Sequence, residues 1–171
     1  MNAEQAKFLA DHYANLIEKE LPATAAVLAA VNEGDRNYKP DPKSRSAFDL
    51  AVHIARADTF LIPSALKGNF DNDPEAGKRW AAQFSDAAQV AAFYRREVSE
   101  TVQQVRAADA GVLLRDINFF GLVTGPAANM LVFAHDHSLH HRGQLAAYLR
   151  AMGSKVPNIY GPSADAEPAR T

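Results

Sequence analysis

The chain has 171 residues, of which 47% are hydrophobic and 22% charged; its formal net charge is -2 and it contains no cysteine. Those figures allow one domain with a sizeable core. They exclude disulfides, thiolate ligands and a cysteine nucleophile, and the lack of a long basic run argues against a phosphate-neutralising nucleic-acid surface.

Met1-Asn-Ala-Glu-Gln5 lacks the basic flank and apolar core of an export signal. No apolar run approaches the roughly 18 residues of a membrane span. The expected location is therefore the cytoplasm, with no membrane partner.

Helical periodicity dominates the chain. A first helix is expected from about Ala3 to Val31, with Phe8, Leu9, Tyr13, Leu16, Ile17, Leu21 and Leu28 as its apolar positions and Pro22 kinking or splitting it. Residues 32–45 hold Gly34, Pro40 and Pro42 and read as a loop. Ser46, with Asp49 three residues on, marks the start of a second helix running to about Leu66, its last turn disturbed by Pro63.

Residues 67–77 are the most loop-like part of the chain. Their acidic run, Asp71 to Glu75, reads as a solvated turn. Ser85 and Asp86 open a third helix that ends near Ala108. Residues 111–125 are irregular, with no convincing strand. A fourth helix begins after Thr124 or Gly125, with Pro126 in its first turn, and ends near Met152 with Gly153 as cap. The expectation is an all-α four-helix bundle in one domain, residues 1–160. The tail, residues 161–171, is expected to be poorly ordered.

The fourth helix carries His135, His137, His140 and His141. Imidazole is the commonest protein ligand for transition metals. His137 and His141 are four apart and project from one helical face. On a wheel with His137 at zero, His141 lies at about +40°, Gln144 at about -20° and Tyr148 at about +20°, among apolar Met130 and Phe133. The pair should therefore face the bundle interior. His140 falls about 60° to the other side and His135 nearly opposite, so His140 suits a pocket and His135 the surface.

A metal needs a third ligand, and His53 is the candidate. It shares an apolar face of the second helix with Leu50, Ala57 and Phe60. Three neutral nitrogens would leave open positions, the pattern of a catalytic site. His12 lies near Leu9, Tyr13 and Leu16 and reads as an ordinary helix-face histidine. Nitrogen donors suit zinc, nickel or iron, and spacing does not choose between them. No His-Glu-x-x-His motif, phosphate-cradling glycine loop or Gly-x-Ser-x-Gly elbow is present.

The string His137-Ser-Leu-His-His141-Arg-Gly-Gln144, followed by Leu149-Arg150, Gly153 and Pro157, resembles the DinB/YfiT-like superfamily of metal-binding four-helix bundles. Tyr38-Lys-Pro40 and Ser44-Arg-Ser-Ala-Phe-Asp-Leu-Ala-Val-His53 resemble that family's second-helix segment. Phe60, Gly68-Asn-Phe70 and Asn118-Phe-Phe-Gly121 continue the likeness over roughly residues 5 to 160.

The resemblance implies an up-down-down-up bundle, often a homodimer. It implies a divalent metal, commonly nickel or zinc, on His53, His137 and His141. It also implies thiol-dependent transfer, in which a metal-activated low-molecular-weight thiol attacks an electrophile. Tyr148, Gln144 and Arg142 are the candidate supporting groups, with a structural role as the alternative for Arg142. The alternatives are a metal-dependent hydrolase and a non-catalytic metal- or small-ligand-binding stress protein.

Overall fold

The computed structural model describes residues 1–70 and 73–166. Four long helices form the body: α1 (Ala3–Ala29), α2 (Ala47–Lys67), α4 (Ala87–Ala107) and α6 (Asn129–Ala151). Two short helices, α3 (Pro74–Ala81) and α5 (Ala110–Leu114), and a hairpin of β1 (Asp116–Phe119) and β2 (Val123–Pro126) complete the described elements.

Local chemistry fixes the helix starts. Asn2 caps α1 in a reciprocal box with Gln5. Ser46 caps α2 through Asp49 N–H at 3.1 Å, and Asp86 caps α4 through Gln89 N–H at 2.8 Å. Gly68 ends α2 with φ 74°, and Gly153 follows α6 with φ 73°, as helix-terminal glycines do. Pro22 does not split α1, which runs through it. Thr24, Ala25, Val27 and Leu28 beyond the proline are fully buried, and that packing outweighs the roughly 3 kcal/mol an interior proline costs.

The core shows which ends lie together. One apolar cluster joins the end of α1 (Ala25–Leu28), the start of α2 (Ala47–Ala55), the start of α4 (Ala87–Val98) and the end of α6 (Leu145–Leu149). A second joins the start of α1, the end of α2, the end of α4 and the start of α6. Hence α1 and α6 run one way and α2 and α4 the other, an up-down-down-up bundle. Each of α1 and α2 packs on both α4 and α6.

Three expectations are corrected. Residues 74–81, read as loop, form α3, because Asp73 accepts from Glu75 N–H at 2.9 Å and Pro74 takes a first-turn position. Trp80 of that helix packs edge-on against Phe84 and Phe93. Residues 116–126, read as strandless, form an antiparallel hairpin whose Ile117 and Val123 are buried. Pro126 therefore ends β2 opposite Asp116, and α6 starts at Asn129 without a side-chain cap.

The hairpin turn places Phe120 and Gly121 at φ 50° and 75°, closed by Leu122 N–H donating to the Phe119 carbonyl at 2.9 Å. Two positive φ values match the twist of paired strands, but the first position ordinarily takes Asn, Asp or Gly.

In the tail, Asp165 accepts from Arg150 and from Val156 N–H; just before it, the Tyr160 hydroxyl accepts from Arg142. Residues 167–171 lie outside the described residues. Among the described residues no helix is long and apolar enough to cross a membrane.

Candidate metal centre

His53 is delivered by α2, whose buried stripe includes Leu50, Ala51 and Ile54. His137 and His141 come from one face of α6, a turn apart. Because α2 and α6 run antiparallel, the three imidazoles meet near mid-bundle. One nitrogen from each lies within 4.8 Å of the others. His53 Nε2 and His141 Nε2 are 3.3 Å apart. Two nitrogens bound to a tetrahedral zinc at 2.0–2.1 Å are also about 3.3 Å apart.

The remaining ring nitrogens support the same reading. His141 Nδ1–H donates to Gln144 Oε1 at 3.0 Å, which leaves the lone pair on Nε2. Gln144 is anchored in turn by its Nε2 donating to the Tyr148 hydroxyl at 3.4 Å. His137 Nδ1 is buried with no hydrogen-bond partner. A buried imidazole nitrogen rarely stays unsatisfied, so this orphan fits a ligand set.

Burial holds the protonation of all three rings low. It pushes His53 down to about 3, helped by the positive charge of Arg45, by His141 and His137, and by Arg56. It pushes His137 down to about 4, with His141, His140 and Arg45 adding to it. His141 is lowered by burial as well, although Gln144 opposes the shift. At neutral pH the group offers three uncharged imidazoles, the state in which they bind metal.

The other histidines stand apart. His140 is exposed, its ring 4.8 Å from that of His141. His135 packs edge-on against Tyr13 and contacts Asp136. His12 is exposed and stacks on Phe8. Arg142, expected either as a supporting group or as a structural residue, is turned away from the histidines. It is 2% exposed, pairs with Glu20, donates to Thr24 and Tyr160, and ties α6 to α1 and the tail. Tyr148 is buried beside Tyr38 and reaches the site only through Gln144.

An apolar pocket of about 390 Å³ opens beside the cluster, with His53 and His137 in its wall. Phe60 of α2, Phe133 of α6, and Phe119, Phe120 and Leu122 of the hairpin line it. The sequence leads to the expectation of a pocket built from the 67–84 and 109–124 loops; among the described residues only the second lines it, and as a hairpin the sequence did not suggest.

A second polar group was missed. Asp58 is 8% exposed, and its Oδ2 accepts from Tyr94 at 2.9 Å and from Ser138 at 2.7 Å. Burial raises its carboxyl to about 7, against the opposing pull of these two hydroxyls and of Arg142. Its Oδ1 has no partner and it borders an internal space of about 20 Å³, room for roughly one water. The sequence did hold a signal: Asp58 lies four residues after Ile54 and four before Ile62, inside a buried stripe.

A family model described as the DinB family matches residues 1–170. The chain belongs to the DinB family. Protein YrdA of Bacillus subtilis, itself uncharacterised, is 26% identical over 154 residues, which cover 90% of this chain and 89% of that one. A histidinol-phosphate aminotransferase from Acinetobacter baumannii is 34% identical over 113 residues, 65% of this chain but only 29% of the transferase.

Among solved structures, a DinB-like protein (YjoA) from Bacillus subtilis superposes with a TM-score of 0.68. It shows 20% identity, with 88% of this chain and 99% of that one covered. A DinB-like protein from Bacillus cereus gives 0.65 at 21% identity, over 86% and 95%. At these identities the solved structures establish the DinB bundle fold and leave the chemistry to the site.

Proposed function

We propose that this DinB-family protein is a divalent-metal-dependent enzyme that transfers a low-molecular-weight thiol to an electrophile. His53, His137 and His141 would hold the metal, with zinc or nickel the best candidates and iron a third. The observation that carries the reading is the meeting of three neutral imidazoles, with no carboxylate among them, at the wall of an apolar pocket. Three protein ligands leave coordination positions for another molecule, and the pocket gives that molecule a place to lie.

When bound, the metal supplies a Lewis acid that lowers the pKa of a thiol or a water. The chain's own residues do the rest. Gln144 holds the His141 tautomer that leaves Nε2 free, and Tyr148 steadies Gln144. Phe60, Phe119 and Phe133 give the space beside the histidines an apolar lining. The chain has no cysteine, so any thiol must come with a substrate.

Two measurements test this. Chelator-stripped protein reloaded with zinc or nickel should bind about one ion per chain, and His137→Ala should lose most of it; equal stoichiometry in both would remove the metal assignment. The loaded protein should turn over an electrophile only when a low-molecular-weight thiol is present. Turnover without thiol would make it a hydrolase, and no turnover with either would make it a binding protein. The same reading includes a homodimer, supported by Phe8 and Met1, which are 71% and 53% exposed on α1 and its leading end. Light scattering should give twice the 18.6 kDa chain mass.

A further inference from the structure

The metal reading leaves two arginines without a role. Arg56 lies one turn beyond His53 on α2 and borders the aromatic pocket. It also borders an adjoining groove of about 300 Å³, together with Arg45, Lys78 and Asp49. Among the described residues, neither Arg45 nor Arg56 makes an ion pair. Lys78 is paired with Glu75 at 2.7 Å, so it is the two unpaired arginines, set against Asp49, that give the groove a positive rim.

Gly77 of α3 shows how Arg56 is seated. A Cβ at Gly77 would stand 2.8 Å from the guanidinium carbon, so the glycine leaves the space in which the guanidinium lies. The same guanidinium lies 5.8 Å from the Phe60 ring, at the wall of the aromatic pocket.

The pocket itself is an apolar slot. Phe60, Phe119, Phe133 and Leu122 line it, and Phe120 is held over it by a positive φ that a bulky residue rarely adopts. Strain of this kind collects at ligand clamps. A planar guanidinium without an ion-pair partner at the edge of an aromatic slot matches one ligand shape, a flat apolar body ending in an oxyanion.

We propose that the pocket beside the three histidines selects an aromatic carboxylate, its body between the phenylalanines and its carboxylate on Arg56, with Arg45 adding to the attraction. This rests on the reading of that pocket as the substrate site and names its substrate class. Arg56 is a binding residue here, and Gly77 positions it.

The test uses 2-naphthoate and its neutral counterpart, naphthalene-2-carboxamide, as calorimetric probes of the full chain. The protein is measured first after chelator treatment and then after zinc reloading, with metal content determined on the same samples. In the chelator-treated protein, naphthoate should bind about tenfold or more tighter than the carboxamide, the scale of a charge-assisted hydrogen bond. Arg56→Gln should remove that preference, leaving carboxamide binding within about twofold, and Arg56→Lys should keep part of it. Gly77→Ala should weaken naphthoate alone, and Phe133→Ala should weaken both probes alike.

Equal binding of acid and amide, or naphthoate binding unchanged in Arg56→Gln, overturns the proposal. So does no binding of either probe. A preference that appears only after zinc reloading and ignores Arg56→Gln places the carboxylate on the metal; it overturns this proposal and leaves the metal reading intact. Wild type that takes up no metal but still prefers naphthoate through Arg56 does the reverse.

Discussion

Asp58 shows how far a single buried group can set the behaviour of the bundle. Its folded pKa is raised from 3.8 to about 7 by burial. The neutral acid is the form the fold favours, so its contribution is complete below the unfolded value and is lost as pH rises through about 7. The loss is on the order of 4 kcal/mol over that window. Asp58→Asn, which stays neutral, should therefore gain on wild type between pH 5 and pH 8 in urea unfolding of chelator-treated protein. A constant difference across that range would refute the assignment. His53 and His137 act in the opposite sense, since their lowered values remove stability as pH falls below about 6.5; both are present in wild type and variant, so the comparison isolates Asp58. A smaller change, Gln144→Ala, should weaken metal affinity by about 10- to 100-fold without changing stoichiometry, read by competition with a chelating dye. The clustered histidines were legible because helical spacing alone brings His137 and His141 to one face. Asp58 and Tyr94 were not, because their pairing joins α2 to α4, and no local rule links residues 36 apart.

At the level of elements, the long helices were readable and the short pieces were not. Ser46, Asp86 and Gly153 act at helix ends as their chemistry dictates. The hairpin escaped because its turn carries Phe120 where the turn type asks for Asn or Gly, so the usual signal is absent. Replacing Phe120 with Asn should raise stability by about 1 kcal/mol, the scale of the left-handed penalty, while weakening binding of an aromatic probe in the pocket. Thermal unfolding together with probe titration checks both halves; a destabilised variant would show that the Phe120 ring contributes more than its backbone costs. The cap of α2 offers a plainer comparison. Ser46 is 4% exposed, and Ser46→Ala should cost about 1 kcal/mol and loosen the helix that carries His53.

Across the whole molecule, Arg142 and Glu20 clamp α6 to α1 with little solvent screening; their side chains are 3% and 14% exposed. Arg142→Ala strands the Glu20 carboxylate and should cost about 3–5 kcal/mol, whereas pairing Arg142→Met with Glu20→Gln should return much of it. Denaturant midpoints of the two variants decide this, and equal loss in both would mean that the ion pair and the hydrogen bonds to Thr24 and Tyr160 hold the helices, rather than that the loss comes from a stranded Glu20.

Between the two apolar clusters of the bundle sits a belt of polar side chains, Asp58 with Tyr94 and Ser138 across three helices and the histidines beside them. Such a belt works as a vernier. Leucines and alanines tolerate a helix sliding by a turn, but a carboxylate and two hydroxyls meet at only one setting. Sliding α6 by one turn against α2 would carry Ser138 off Asp58 and move His137 and His141 off His53 in the same motion. One alignment therefore serves both groups, and the setting of α6 on α2 that satisfies Asp58 also fixes the spacing of the three imidazoles.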